Sequence, residues 1–299
     1  MAYFRFRTVF RLLKETFGEW QKDRAAQLAA ALAYYTVFSL TPLLVITIAI
    51  AGSIVGETAA RQEIIGRLQF VLNNTGTDVI ETILNNVSQP EIKGLASLIS
   101  IIVLLIGASG VFAQLQDAFN QIWKVGDNQP QGGIKELVKK RLLSFVMVFF
   151  IGVLLLVSLI LSAVLSALTN ISYDFLPRLE DFWRIVNYLL SFTIIAFLFA
   201  VLYKYVPDVP VAWKDVRVGS ILSTLLFIIG KEILGIYLGR SSFSSAYGAA
   251  GSLIVLLAWI YYSAQILLFG AEFTQVYAKR YGSKRQLLRE NEELVMDNR

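Results

Sequence analysis

The chain has 299 residues, 56% hydrophobic and only 16% charged, with a net charge of +5 and a mean hydropathy of +0.60. Soluble domains carry about a quarter charged residues, so this balance points to lipid surroundings and against a soluble fold. With no Cys and no His, the composition excludes a disulfide framework, a thiolate nucleophile, an imidazole base and any Cys or His metal site.

The N-terminal stretch 1–24 places Phe6, Val9, Phe10, Leu13, Phe17 and Trp20 at helical spacing. Arg5, Arg7, Arg11 and Lys14 fall largely elsewhere around the helix. The pattern predicts a basic amphipathic helix lying at the membrane surface. A cleavable signal peptide does not fit, because the charged leader is too long and the next apolar run is span-sized.

Six apolar runs follow, each reaching the ~20 residues that cross ~30 Å of hydrocarbon. They are Leu28–Val55, Leu95–Ala113, Leu142–Leu168, Ile185–Tyr203, Val216–Leu238 and Gly251–Tyr277. Pro42 removes a backbone donor inside the first, so a kink or a helix restart is expected near Ser39–Pro42. The second continues as a more polar helix through Trp123, and Pro207 and Pro210 close the fourth. Between the first two spans, segment 57–93 carries two amphipathic stripes broken at Asn73–Gly76, read as helices covering the outer face of the bundle.

Of the 27 Lys and Arg residues, 20 fall in the N-terminal segment, the loops after spans two and four, and the C-terminal tail. Six lie on the opposite side, and Lys231 sits within span five. Basic residues mark the cytoplasmic side, so both termini are expected inside. The fold expected is all-α, a polytopic six-transmembrane-helix bundle with amphipathic surface helices. Residues 1–24 form the interfacial helix, 25–278 the transmembrane domain, and 279–299 a polar cytoplasmic tail.

Lys231 and Glu232 are ionisable groups at membrane depth, where charge is costly and usually faces a partner or a wet cavity. The competing reading for Lys231 is a long stem snorkelling toward the outer surface. Gln114, Gln116, Asp117 and Asn120 make the end of span two polar, which suits a pathway lining or an ordinary interfacial helix end. Glu272 near the inner end of span six carries the same two readings. The small residues of Ser241–Ser252 and Gly107–Gly110 allow close helix packing or broken helix. Gly132–Gly133 lacks the spacing and the Lys-Ser/Thr of a phosphate loop. No basic array with stacking aromatics suggests RNA, and no carboxylate pair has two-metal spacing.

Five blocks of the chain resemble a known family. They are AAALAYYTVFSLTPLL (Ala29–Leu44), GASGVFAQLQDAFNQIW (Gly107–Trp123), LYKYVPDVPVAWKDVRV (Leu202–Val218), GKEILGIYLG (Gly230–Gly239) and SSFSSAYGAAGSLIVLLAWIYYSAQILLFGAEFTQVYA (Ser241–Ala278). The chain is similar, over nearly its whole length, to the YihY/BrkB family of bacterial inner-membrane proteins. Lys231, Asp117, Gln265 and Glu272 lie in these motifs, which marks them as family features without giving them roles. The resemblance implies a multi-pass protein of the bacterial plasma membrane, with membrane lipids as partners. Its relatives' envelope phenotypes favour the movement of a lipid or other anionic amphiphile. An envelope-assembly scaffold or a small-solute channel is the alternative. Members have often been labelled ribonuclease BN, a label read here as a misassignment, so no enzyme, metal, cofactor or nucleic-acid partner is expected.

Overall fold

The computed structural model describes residues 6–56, 58–59, 61–62, 65–66, 81, 110–125, 180–240 and 249–283. The third expected span Leu142–Leu168, most of segment 57–93, the start of the second span, the run 241–248 and the tail from residue 284 lie outside the described residues. Among the described residues all regular structure is helical. The helices are α1 (Phe6–Lys22), α2 (Ala25–Val55), α3 (residues 110–122), α4 (Glu180–Tyr205), α5 (Trp213–Arg240) and α6 (Ala249–Arg280).

Helix ends follow local chemistry. Asp23 and Arg24 separate α1 from α2, with Arg24 in the left-handed region at φ 52. Lys124 ends α3 in the same way at φ 55. There Lys124 N–H donates to Gln121 O and Val125 N–H to Asn120 O, so the last carbonyls are satisfied by a Schellman turn. A basic residue at such a turn also suits the negative end of the helix dipole. Helix α2 runs through Pro42 in one piece, so the expected restart does not occur. A proline ring costs a helix one hydrogen bond, and the 31 residues of α2 absorb that loss.

The chain forms two compact units. The first takes Met1–Thr16, Phe119–Thr224 and Gly270–Arg299, and the last stretch of α6 belongs to it. Residues 270–276 are all buried. Leu12 of α1 packs on Phe273 and Val276, with Leu13, Val218, Leu222 and Tyr277 around them. Thr16 is buried one turn after Leu12, and its hydroxyl donates to the Leu12 carbonyl at 2.8 Å, which is how a polar side chain enters this core. Arg280 adds an exposed two-pronged pair to Glu15, worth at most ~1 kcal/mol.

Helix α1 thus divides the apolar residues that its sequence groups together. Leu12 and Leu13 face protein, while Phe10 stays 66% exposed. In the second unit Phe17 is exposed too, stacked on Trp20 with ring centroids 5.6 Å apart. The second unit comprises Phe17–Ala118 and Leu225–Phe269. There Phe227 meets Trp259 edge to face, and the Tyr35 ring lies over Gly110, where a Cβ would come within 2.9 Å of it.

Candidate functional site

In the first unit, a polar seam joins α4, α5 and α6. Gly219 and Ser223 stand one turn apart on α5, and Gly270 and Thr274 one turn apart on α6. Each hydroxyl donates back to its own helix, Ser223 Oγ to Gly219 O at 3.0 Å and Thr274 Oγ1 to Gly270 O at 2.7 Å. Each also lies over the glycine of the other helix. A Cβ on Gly270 would strike Ser223 Oγ and Tyr203 Oη, and one on Gly219 would strike Thr274 Oγ1. Tyr203 of α4 completes the seam, 2.6 Å from Ser223 Oγ. The Ser223 proton is committed to Gly219, so the Tyr203 hydroxyl donates in that bond. Phe119 and Phe199 hold the tyrosine ring, with centroids 5.9 and 6.0 Å away.

Around this seam the remaining polar groups are individually placed. Gln275 is fully buried and donates Nε2 to the Ile122 carbonyl at 2.8 Å, closing the end of α3. Glu272, also fully buried, has both carboxylate oxygens sealed from solvent. Asn120 grips the loop after α4 in two directions: its Nδ2 donates to Asp208 Oδ2 at 2.8 Å, and its Oδ1 accepts from Asp208 N–H at 3.0 Å. Asp215, buried in the first turn of α5, accepts from both the N–H and the hydroxyl of Ser283. Gly282 leaves room for that carboxylate, since a Cβ there would strike Asp215 Oδ1.

The Asn120 clasp gives a direct prediction. Asn120→Asp keeps the shape, loses the Nδ2 bond and sets two carboxylates face to face. A loss of about 2 kcal/mol is expected, read as a lower unfolding midpoint in detergent, with Asp208→Asn restoring part of it. An unchanged midpoint would mean the clasp contributes nothing.

The second unit holds the other residues singled out from sequence. Helix α5 has two distinct sides there. Ile228, Ile229, Ile233 and Ile236 are exposed by 36%, 56%, 61% and 58%, and exposed Glu232 stands among them. Lys231 is half-buried on the other side, in helical register with buried Ser220 and Thr224. Just before it, Gly230 is bare enough for the Tyr262 hydroxyl to approach its backbone. Gln265 on α6 is half-buried, with Oε1 sealed and meeting no donor among the described residues. Gln114 is half-buried and Asp117 exposed. Of the six residues, Glu272 belongs to the first unit and the other five to the second.

Sequence reasoning passed over Tyr203, Gly219, Ser223, Gly270, Thr274 and Gln275. The signal was present in Gly-x-x-x-Ser at Gly219–Ser223 and Gly-x-x-x-Thr at Gly270–Thr274. Small residues four apart let helices meet backbone to backbone.

Two described stretches are long and apolar enough to cross a bilayer, Tyr188–Tyr205 and Leu253–Arg280, and only 22% of the first is buried in protein. So bare an apolar helix calls for lipid around it, and with its relatives named as membrane proteins the chain is a helical membrane protein. It belongs to the family described as virulence factor BrkB, whose profile matches residues 16–294. It is 28% identical over 282 residues to a UPF0761 membrane protein of Verminephrobacter eiseniae, an alignment that covers 92% of this chain and 63% of that one. With a UPF0761 membrane protein of Ralstonia nicotianae it shares 29% identity, over 84% of this chain and 55% of the relative. The chain therefore spans somewhat over half the length of these two relatives. A Bacillus subtilis protein named putative ribonuclease-like protein YfkH is 23% identical, with 90% and 95% of the two chains covered. No solved structure matches the chain.

Proposed function

We propose that this chain is a six-span protein of the bacterial inner membrane, with both termini in the cytoplasm, that moves a lipid or other amphiphile with an anionic headgroup. The observation that carries this reading is the placement of Lys231. It lies on the polar, buried side of α5, while the opposite side of that helix is apolar and exposed. An ionisable group that faces the protein at membrane depth is by default a functional group. A cation on the inner side of a helix whose outer side is apolar suits a molecule with an acidic head and hydrocarbon tails.

The topology is tested by reporters. One fused after Tyr281 reads as cytoplasmic and one inserted at Thr75 as external; the opposite result at either site defeats the six-span arrangement. Movement is tested in liposomes that carry a fluorescent acidic phospholipid in both leaflets. Protein-containing vesicles lose the inner-leaflet label to an impermeant quencher, and protein-free vesicles lose only the outer. Identical quenching in both would refute lipid movement.

The name of the Bacillus subtilis relative suggests ribonuclease activity. We propose that this chain has none, because a chain without His or Cys lacks the usual base and the commonest transition-metal ligands. Purified protein leaves RNA intact with Mg²⁺, Mn²⁺ or Zn²⁺. Cleavage that disappears on changing one of its carboxylates would overturn that.

A further inference from the structure

Asp215 stands in the first turn of α5, and Ser283 follows the last turn of α6; both belong to the first unit. The Asp215 carboxylate is fully buried, and its two oxygens are treated differently. Oδ2 accepts from the Ser283 N–H at 3.2 Å and from the Ser283 hydroxyl at 2.5 Å. Oδ1 is sealed from solvent and meets no donor among the described residues. It lies against the turn that ends α6: a Cβ on Gly282 would come within 2.1 Å of Oδ1 and 2.7 Å of Ala278 Cα. That turn also releases a main-chain acceptor. In a continued helix the Gly282 N–H would close onto the Ala278 carbonyl, but here it donates to Tyr277 O at 2.9 Å. A buried carboxylate oxygen without a donor is thus set at the negative end of a 32-residue helix. Both features call for positive charge.

We propose that Asp215, together with main-chain oxygen at the end of α6, binds one alkali cation, sodium or potassium, which ties α6 to the start of α5. The donors are hard oxygens, as such an ion requires, and one carboxylate among neutral carbonyls matches a single positive charge. A divalent ion would call for more carboxylates, and no such cluster gathers among the described residues. The basic side chains of the surrounding elements are directed elsewhere. Lys204 of α4 donates to the Val211 carbonyl, Arg280 pairs with Glu15 of α1, and Lys214, Arg217 and Lys279 are exposed. The site goes beyond the transport reading and does not rest on it, since neither Lys231 nor lipid movement enters the argument.

The test melts the full chain in detergent over a range of NaCl or KCl, with choline chloride holding the ionic strength constant. An ion bound only by the folded state raises Tm as its concentration rises. The wild type is expected to gain about 5 °C with at least one of the two salts. Asp215→Asn supplies the missing donor itself: its carbonyl oxygen keeps the Ser283 bonds, and its amide nitrogen takes the place of Oδ1. It is expected to fold and to lose the gain. Gly282→Ala sets a methyl group against Oδ1 and is expected to lose the gain as well. An infrared difference spectrum of the wild type, alkali salt minus choline, is recorded on protein with isotope-labelled aspartate. A shifted aspartate carboxylate band is the expected result, and it decides the matter if either variant fails to fold. The proposal is overturned if neither salt moves the wild-type midpoint, if the gain persists in Asp215→Asn or Gly282→Ala, or if no labelled band responds. A midpoint that rises with falling pH and ignores both salts would assign Oδ1 a proton and overturn it equally.

Discussion

Gly219→Ala and Gly270→Ala are each expected to lower stability by about 1–3 kcal/mol, whereas Gly18→Ala raises it by about 0.5–1 kcal/mol. The exchange is chemically identical at all three helical positions, so the sign isolates packing from propensity. Alanine is the better helix former wherever nothing opposes its methyl group. At Gly18 nothing lies within 4 Å of the added carbon. At Gly219 it would meet the Thr274 hydroxyl, with Thr274 Cβ at 3.0 Å and the Gly270 carbonyl at 3.1 Å. Thr274 cannot swing aside cheaply, because its β-branched side chain is tied to Gly270 O. At Gly270 the added carbon would displace Ser223 Oγ and Tyr203 Oη together, breaking two bonds of the seam. Unfolding midpoints in mild detergent measure all three variants. Stabilisation at Gly219 or Gly270 would mean that α5 and α6 do not meet backbone to backbone there.

The long helices were legible because their boundaries are written in one-dimensional chemistry. Apolar runs bracketed by charge and proline place α4 at Glu180–Tyr205 and α5 at Trp213–Arg240, close to the spans read as Ile185–Tyr203 and Val216–Leu238. The pairings across helices were not legible. Asn120 and Asp208 are 88 positions apart, and Gln275 reaches Ile122 across 153. No periodicity links residues so far apart, and a glutamine in an apolar helix gives no sign of which carbonyl it satisfies. The amphipathic stripe of α1 was visible, but its division between protein and surroundings depends on where α5 and α6 present Val218, Leu222 and Phe273. Reading two ionisable neighbours as one candidate site also hid a distinction. Adjacent helix positions differ by about 100°, and that rotation puts Lys231 on the buried side of α5 and Glu232 among exposed isoleucines.

That division makes Lys231→Met the most informative functional substitution. Methionine keeps the length and the apolar stem and removes the charge, so it separates electrostatics from packing. If Lys231 attracts an acidic headgroup, the variant inserts and folds normally and loses lipid movement by about tenfold or more, the equivalent of ~1.4 kcal/mol or more at the headgroup. The attraction is far stronger in a low-dielectric site than in water, although desolvation of both charges offsets much of it. Lys231→Arg retains the charge with a different shape and is expected to keep part of the activity. Two other roles give different outcomes. A lysine that merely snorkels predicts that Lys231→Met is harmless or stabilising, because an apolar side chain suits hydrocarbon better. A lysine that chiefly balances Glu232 predicts a lower unfolding midpoint, recovered in part when Glu232→Gln is added. The vesicle assay and the unfolding midpoint, measured on the same preparations, separate the three, and full lipid movement in Lys231→Met at normal expression ends the headgroup role.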